Sequence, residues 1–217
     1  MNRRVNNTFV QGVKFNFVML CLEALQRGYD KMVSDRKYDV NWKEDKITAH
    51  LVEKIKQTGF LRSNQISVNH QVPIYDAGVT EGEDDPLEAP RVDFKFTQWK
   101  QEEMDFYAEA KNLSHDDWEK TDGSKVSASK YRGRYIDTGI ENLVSGRYPE
   151  GCLVGYIVQG NETQVISAIN RLIQTRNLLP RIGLIQKDEA ASFAICYFSS
   201  HILDNRQFII RHLFMQF

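Results

Sequence analysis

The chain has 217 residues, of which 41% are apolar and 26% are charged. This balance excludes an intrinsically disordered chain and predicts a folded protein with a sizeable core. The formal net charge is −1, whereas a protein that grips nucleic acid is often basic overall. A nucleic-acid function therefore requires a local basic patch, a metal ion or a partner.

Three cysteines, Cys21, Cys152 and Cys196, are widely spaced and form no Cys-x-x-Cys pair. This sparse, odd set predicts reduced, buried thiols in a cytoplasmic protein. The apolar run over 15–22 follows two arginines, but Glu23 interrupts it and no small-residue cleavage site follows. Since no apolar segment is long enough to cross a bilayer, we expect a soluble cytoplasmic protein without membrane contact.

Two amphipathic helices are predicted in the first part of the chain. Apolar residues recur at helical spacing over 14–33 and again over 42–58, where Gly59 marks the end of the second helix. We expect the first helix to lie outside the main core, where it can pack on a partner. A strand is predicted within 66–75, and an acidic loop rich in glycine and proline follows it.

The later part of the chain alternates helices with strands. Helical spacing predicts helices over 126–146 and 162–176. The continuous apolar run from Cys152 to Gln159 is typical of a strand buried on both faces. Three more strands are predicted towards the end of the chain, at Ile182–Gln186, Ser192–Phe198 and Phe208–Phe217.

A pair of short strands joined by a polar turn is predicted within Arg91 to Leu113. Side chains alternate across a strand, so Glu109 and Lys111 share one face of the second strand. If the strands pair as a hairpin, Asp93 on the first strand comes onto that face. Two carboxylates beside a lysine on a rigid sheet can hold a divalent cation and a nucleophilic water.

The whole order of elements places this hairpin before a helix that crosses over to the buried strand. Such an order predicts an α/β fold with a mixed central β-sheet flanked by helices. For a chain of this length, we expect a single domain that spans 1–217.

An acid two residues before a lysine is not specific by itself, because the chain contains four such pairs. Asp35–Lys37 lies in a predicted loop. Glu44–Lys46 lies in a predicted helix, where residues two apart do not face each other. Neither position predicts a paired arrangement of the two side chains.

Asp93–Lys95 is a rival to the pair Glu109–Lys111, with Asp76 as its upstream partner. We rank this rival second, because Asp76 opens a long loop and a metal site requires rigid supports. The preferred set is therefore Asp93, Glu109 and Lys111.

This set, on the second and third strands of a helix–strand–strand–strand–helix–strand order, resembles the PD-(D/E)XK, or restriction-endonuclease-like, nuclease superfamily. Pro90 lies three residues before Asp93, a slight departure from the motif that gives the superfamily its name. The resemblance covers about 42–160 as a core. It leaves 1–41 as an N-terminal helical extension and 161–217 as a helix with C-terminal strands.

The resemblance implies a Mg²⁺-dependent endonuclease, for which Mn²⁺ is a substitute metal. Asp93 and Glu109 would ligate the cation, with the carbonyl of Ala110 as a further ligand. Lys111 would orient the attacking water and offset charge on the phosphate. The implied substrate is nucleic acid, with DNA favoured, and stand-alone bacterial members often serve restriction or anti-phage defence.

The resemblance also directs attention to acids and bases on the neighbouring helices. Glu44 or Glu53 would supply an additional acid, although Glu44 also fits a capping box that begins at Asn41. Lys130 and Arg134 lie one helical turn apart after the motif, and the resemblance implies a contact with substrate phosphate. The alternative for these two residues is an exposed basic helix face.

Two other functions stay open on the sequence alone. The first is a nuclease-like binding module without catalytic activity. The second is a subunit of a larger complex that is silent until a partner or trigger arrives. The expected partners are another protein or a second copy of the chain, as a homodimer.

Overall fold

A computed structural model describes residues 7–75, 77–83, 85–99, 103–148, 151–189, 191 and 195–217. The helices in chain order are α1 (Asn7–Ser34), α2 (Glu44–Gln57), α3 (Phe60–Ser63), α4 (Ala77–Thr80), α5 (Ala128–Arg134), α6 (Glu141–Val144) and α7 (Glu162–Thr175). A π-helical segment, Tyr135–Ile140, joins α5 to α6. The strands in chain order are β1 (Ile66–Pro73), β2 (Arg91–Trp99), β3 (Glu103–Ser114), β4 (Trp118–Glu119), β5 (Lys125–Val126), β6 (Gly151–Gln159), β7 (Gln186–Lys187), β8 (Cys196–Leu203) and β9 (Arg206–Gln216).

A seven-stranded mixed sheet organises the fold, with the strand order β1-β2-β3-β6-β9-β8-β7. The first three strands are antiparallel, β3, β6 and β9 run parallel, and the last strands are again antiparallel. The predicted mixed α/β sheet flanked by helices is therefore confirmed. The predicted crossover is present too, since α5, the π-helical segment and α6 connect β3 to its parallel neighbour β6.

Two apolar clusters bury the two faces of β6, as its unbroken apolar sequence predicts. On one face, Val154 packs in a cluster with residues of α1 and α2, such as Leu22 and Leu51. On the other face, Leu153 packs with residues of the π-helical segment and α7, such as Ile169. Cys21, Cys152 and Cys196 are buried free thiols within this core.

The first helix is longer than predicted and is covered by its own chain. Cys21, Leu22 and Leu25 have no exposed surface, and the hydroxyl of Tyr29 donates a 2.6 Å hydrogen bond to the carbonyl of Gln216. The apolar stripe that we expected to be available for a partner is thus part of the main core. No helix within the described ranges is long and apolar enough to cross a membrane.

The predicted strand at Ile182–Gln186 is wrong over most of its length, because only Gln186 and Lys187 pair in β7. The side-chain amide of Asn170 accounts for the difference. It accepts a 2.8 Å hydrogen bond from the amide of Ile185 and donates a 2.9 Å bond to the carbonyl of Ile185. A side chain thereby satisfies backbone groups that a strand would satisfy through a neighbour. Of the predicted strand Ser192–Phe198, residues 192–194 lie outside the described ranges, and β8 begins at Cys196.

Candidate active site

Asp93 is held on β2 by a contact with the motif on β3. The antiparallel register sets Phe94 opposite Ala108, so Asp93 lies beside the end of the motif. Its Oδ2 accepts a 2.7 Å hydrogen bond from the backbone amide of Ala110. Its Oδ1 accepts a second bond of 2.7 Å from the side-chain amide of Gln71 on β1. Both carboxylate oxygens are thus oriented by neutral donors on the two neighbouring strands.

Lys111 is the centre of the cluster. Its ammonium group donates a short hydrogen bond to Oε1 of Glu109 and a 2.8 Å bond to the carbonyl of Ala110. It also lies 3.5 Å from Oε1 of Glu44. The structure therefore brings Asp93, Glu109 and Lys111 together, in the arrangement that alternation along the hairpin predicts.

Glu44 belongs to the same cluster, and the capping box predicted from Asn41 is wrong. Helix α2 begins at Glu44 itself, and Lys43 is its N-cap residue without a side-chain cap. The side chain of Glu44 reaches instead to β3, where Oε2 accepts a 2.8 Å hydrogen bond from the amide of Asn112. A tertiary contact has replaced the local one, because this helix end points at the end of β3.

Glu53, the alternative acid on the same helix, does not reach the cluster. Its side chain is exposed and accepts a 2.9 Å hydrogen bond from the side-chain amide of Gln57, one helical turn further on. It therefore has the solvent-facing position that its place in the helical pattern predicts.

Burial makes the charges of this cluster costly. Asp93, Glu109 and Lys111 are 4%, 6% and 5% exposed. Burial, and then repulsion from Glu109, raise the pKa of Asp93 to about 8. Burial likewise raises the pKa of Glu109, although Lys111 partly offsets this effect. Burial alone would lower the pKa of Lys111, but the surrounding carboxylates outweigh it and raise that pKa. The lysine thus stays charged in an environment that favours further positive charge.

The rival pair Asp93–Lys95 does not form a site of this kind. The ammonium group of Lys95 lies 2.8 Å from Oδ2 of Asp105 on β3, and it makes no ion pair with Asp93 or Glu109 among the described residues. Asp76, the predicted partner of this rival, lies outside the described residues. The contacts of Lys95 are those of a cross-strand ion pair.

The two predicted basic residues of α5 differ in position. Arg134 lies at the rim of the cluster, with Nη2 3.9 Å from Oε1 of Glu44. Lys130, one turn earlier, is exposed and does not reach the carboxylates. Both residues line a cleft on the surface between α5 and α7.

Three residues at the cluster were not predicted from the sequence. Gln71 has a left-handed backbone with φ of 54°, which breaks the alternation on which strand predictions rest. Tyr148 is buried beside the acids, and burial and then Glu109 raise its pKa. Gly139 lies in the π-helical segment, where an added Cβ would lie 3.9 Å from Cγ of Lys111 and 3.3 Å from Leu153. A glycine within a predicted helix was the available signal for this close approach.

The donor set fits a hard divalent cation that keeps most of its water. Within the described ranges, no group of three or more His, Cys, Asp or Glu side chains forms a ready metal cage. Mg²⁺ does not require one, because it commonly binds one or two carboxylates and retains several waters. Oε2 of Glu109 is buried and has no hydrogen-bond partner in the described part of the chain, so it is available as a ligand. The carboxyl group of Asp93 and the carbonyl of Ala110 supply further oxygen atoms that could act as metal ligands.

Comparison of the chain with models of protein families, with curated proteins and with solved structures found no match.

Proposed function

We propose that the chain is a metal-dependent endonuclease that hydrolyses phosphodiester bonds in DNA, on a core of the PD-(D/E)XK type. The observation that carries this proposal is a buried cluster of three carboxyl groups around one ammonium group. Two carboxylates that are almost wholly buried, Asp93 and Glu109, and a third from Glu44 surround the single ammonium group of Lys111. A cation bound here would displace the proton that the raised pKa of Asp93 retains, and a divalent cation best offsets the charge of the resulting carboxylates.

Asp93, Glu109 and the carbonyl of Ala110 are the groups that would hold Mg²⁺, or Mn²⁺ in its place. A bound cation of this type supplies Lewis-acid polarisation of the phosphate and lowers the pKa of a bound water. The residues of the chain itself would orient the metal, the water and the phosphate. Asp93 is kept in a fixed orientation by Gln71 and Ala110, which is the preorganisation that a catalytic metal ligand requires.

Lys111 would have two roles in hydrolysis. Its ammonium group is a donor that orients a water for attack on the phosphorus atom. Its positive charge offsets the charge that develops on the phosphate oxygens in the transition state. Glu109 and Glu44 hold this ammonium group in place and raise its pKa, so that it stays protonated at neutral pH.

The test is cleavage of supercoiled and linear DNA by the purified protein in Mg²⁺, in Mn²⁺ and in EDTA. Cutting should require the metal, and Lys111→Ala or Asp93→Ala should lower the rate by about 100-fold or more. Lys95→Ala is the matched control, because Lys95 lies on the same hairpin but pairs with Asp105. Lys111→Met, which keeps the volume of the side chain, separates loss of chemistry from loss of fold. Cleavage by Lys111→Ala at the wild-type rate would sink the assignment.

The depth of the cluster favours one second candidate, a subunit that is silent until a partner opens the site. Asp93, Glu109 and Lys111 expose at most 6% of their surface, so a phosphodiester requires movement of the covering side chains to reach them. This candidate predicts metal binding without cleavage by the isolated chain. Cleavage that begins only after a co-encoded protein is added would support it.

A further inference from the structure

A surface cleft of about 590 Å³ lies between α5 with its π-helical continuation and α7. Its lining is strongly basic, although the chain as a whole has a net charge of −1. The lining contains a single carboxylate, that of Asp137. Its cationic residues are Lys130, Arg132, Arg134, Arg171 and Arg176. The cleft is therefore a local concentration of positive charge on a protein that is otherwise close to neutral.

Some of these cations are engaged by the fold, which leaves the others for a ligand. Arg176 lies 2.8 Å from Oδ1 of Asp137, and Arg132 donates hydrogen bonds to the carbonyls of Ser114 and His115. Lys130 and Arg171 are exposed and pair with no carboxylate in the part of the chain that the structure describes. They lie on α5 and α7, on the two sides of the cleft.

The cleft adjoins the candidate active site through one side chain. Arg134 lines the cleft, and its Nη2 is 3.9 Å from Oε1 of Glu44. That same oxygen lies 3.5 Å from the ammonium group of Lys111. A phosphate bound at Arg134 would therefore lie at the rim of the acid–lysine cluster.

We propose that the cleft binds the sugar-phosphate backbone of the DNA whose next phosphate enters the acid–lysine cluster, an inference that rests on the proposed function. Lys130 and Arg171 would each contact a phosphate, and Arg134 would contact the phosphate nearest to the cluster. Cations on two separate helices suit an extended chain of phosphates better than one compact anion. This arrangement also explains how a near-neutral protein holds DNA, because backbone contacts depend on the local charge that faces the phosphates.

The experiment is fluorescence anisotropy with a labelled DNA duplex in EDTA, where metal-dependent cutting is absent. The double variant Lys130→Ala, Arg171→Ala should bind at least about 10-fold more weakly near 0.1 M salt. Its plot of log K against log salt should be shallower by about 2, since each lost phosphate contact removes about 0.9 from the slope. The matched control is Lys56→Ala, Arg62→Ala, which removes two exposed cations outside the cleft and should bind like the wild type.

Failure of the cleft and failure of the chemistry have different signatures. The cleft proposal would be overturned if the cleft variant bound DNA with the affinity and salt slope of the wild type. It would also be overturned if the wild type did not bind DNA. Equal affinity for a mononucleotide and for the duplex would overturn it too, because it would indicate a single-anion site. Lys111→Ala tests the chemistry separately from the cleft, since Lys111 lies outside the cleft lining. If Lys111→Ala binds and also cuts at the wild-type rate, the nuclease assignment fails while the cleft stands.

Discussion

The carboxylate of Asp93 accepts a 2.7 Å hydrogen bond from the amide of Ala110, the residue between Glu109 and Lys111. This contact joins the aspartate of one strand to the acid-and-lysine pair of the next. Because it is made by the backbone, its length does not depend on the side chain at position 110. The position of Asp93 relative to the motif is therefore fixed by the pairing of β2 with β3.

The first prediction concerns the cost of holding Asp93 without a metal. Its pKa of about 8 in the folded protein lies far above the ordinary value of 3.8, so the folded protein retains a proton that the unfolded chain releases. The free energy of unfolding therefore falls as pH rises from about 4 to about 8. Asp93→Asn does not titrate, and its amide can pair with both Ala110 and a flipped Gln71 side chain. In EDTA, this variant should be more stable than the wild type by about 1–2 kcal/mol, with a larger difference at pH 8 than at pH 5. Urea unfolding at the two pH values measures the difference.

Addition of Mg²⁺ should reverse that order. Metal that binds only the folded state raises the melting temperature of the wild type, and Asp93→Asn should show little or no rise. Asp105→Asn is the control, because Asp105 lies on the same hairpin and pairs with Lys95 outside the cluster. Equal Mg²⁺ shifts in Asp93→Asn and the wild type would show that the metal binds elsewhere.

The second prediction assigns Glu44 to the active site as a positioning residue. Its carboxylate lies 3.5 Å from the ammonium group of Lys111 and accepts a 2.8 Å bond from the amide of Asn112. Glu44→Gln keeps the acceptor for Asn112 but removes the charge beside Lys111. We expect kcat to fall by about 10- to 100-fold with a small change in KM. A structural role alone would instead predict a change in stability without this split.

Glu53→Gln provides the matched control for Glu44, since both acids lie on α2 and only Glu44 reaches the cluster. Its cleavage rate should equal that of the wild type. A Glu44→Gln variant with an unchanged kcat would show that Glu44 is not part of the site.

The arrangement of the hairpin could be predicted from the sequence because its acidic and basic side chains lie on regular strands. Strict alternation sets Glu109 and Lys111 on one face, and an antiparallel partner brings Asp93 beside them. Glu44 was ambiguous for a physical reason. A glutamate at this position can bond to the backbone of its own helix end or pair with a distant lysine. Only the direction of α2 in the fold decides between these two interactions.

Other features depend on contacts that a single sequence does not contain. The run from Ile182 to Gln186 has the composition of a strand, but the amide of the distant Asn170 satisfies its backbone. The cleft combines Lys130 with Arg171, which belong to helices separated by β6 in the chain. Their proximity follows from the packing of α5 against α7, and helical periodicity gives no information about it.

The third prediction separates two properties of Gln71, its backbone conformation and its hydrogen bond. Its φ of 54° costs free energy for any residue with a Cβ, while its amide donates a 2.7 Å bond to Asp93. Gln71→Ala and Gln71→Gly both lose the bond, but only glycine relieves the backbone. Gln71→Gly should therefore be more stable than Gln71→Ala by about 1 kcal/mol in urea unfolding.

Both Gln71 variants should bind Mg²⁺ about 10- to 100-fold more weakly than the wild type, because Asp93 loses one of its two orienting donors. Calorimetric titration measures this change. Equal stability of the two variants would argue against backbone strain at position 71. Unchanged metal affinity would argue against the positioning role.

The fourth prediction rests on a buried chain of polar groups that joins β8 and β9 to the π-helical segment. Oγ of Ser199 lies 2.6 Å from Nε2 of both His201 and His212, and Nδ1 of His212 lies 2.8 Å from the hydroxyl of Tyr135. All four side chains are fully buried. Burial lowers the pKa of His201 to about 4 and lowers the pKa of His212 strongly. Both histidines are therefore neutral in the folded protein near neutral pH.

A lowered histidine pKa makes the fold sensitive to acid. Between the unfolded value near 6.5 and the folded value, the unfolded chain binds the extra proton, so each histidine removes about 1.4 kcal/mol per pH unit as pH falls. Asp93 titrates in the opposite sense over this range, so the informative quantity is a difference between proteins. His201→Gln keeps a polar partner for Ser199 but cannot take up the proton. It should lose less stability than the wild type between pH 6.5 and pH 4.5, by up to about 2–3 kcal/mol. His70→Gln changes an exposed residue of β1, and its pH profile should follow that of the wild type. Identical pH profiles for all three proteins would show that His201 is not buried as a neutral group.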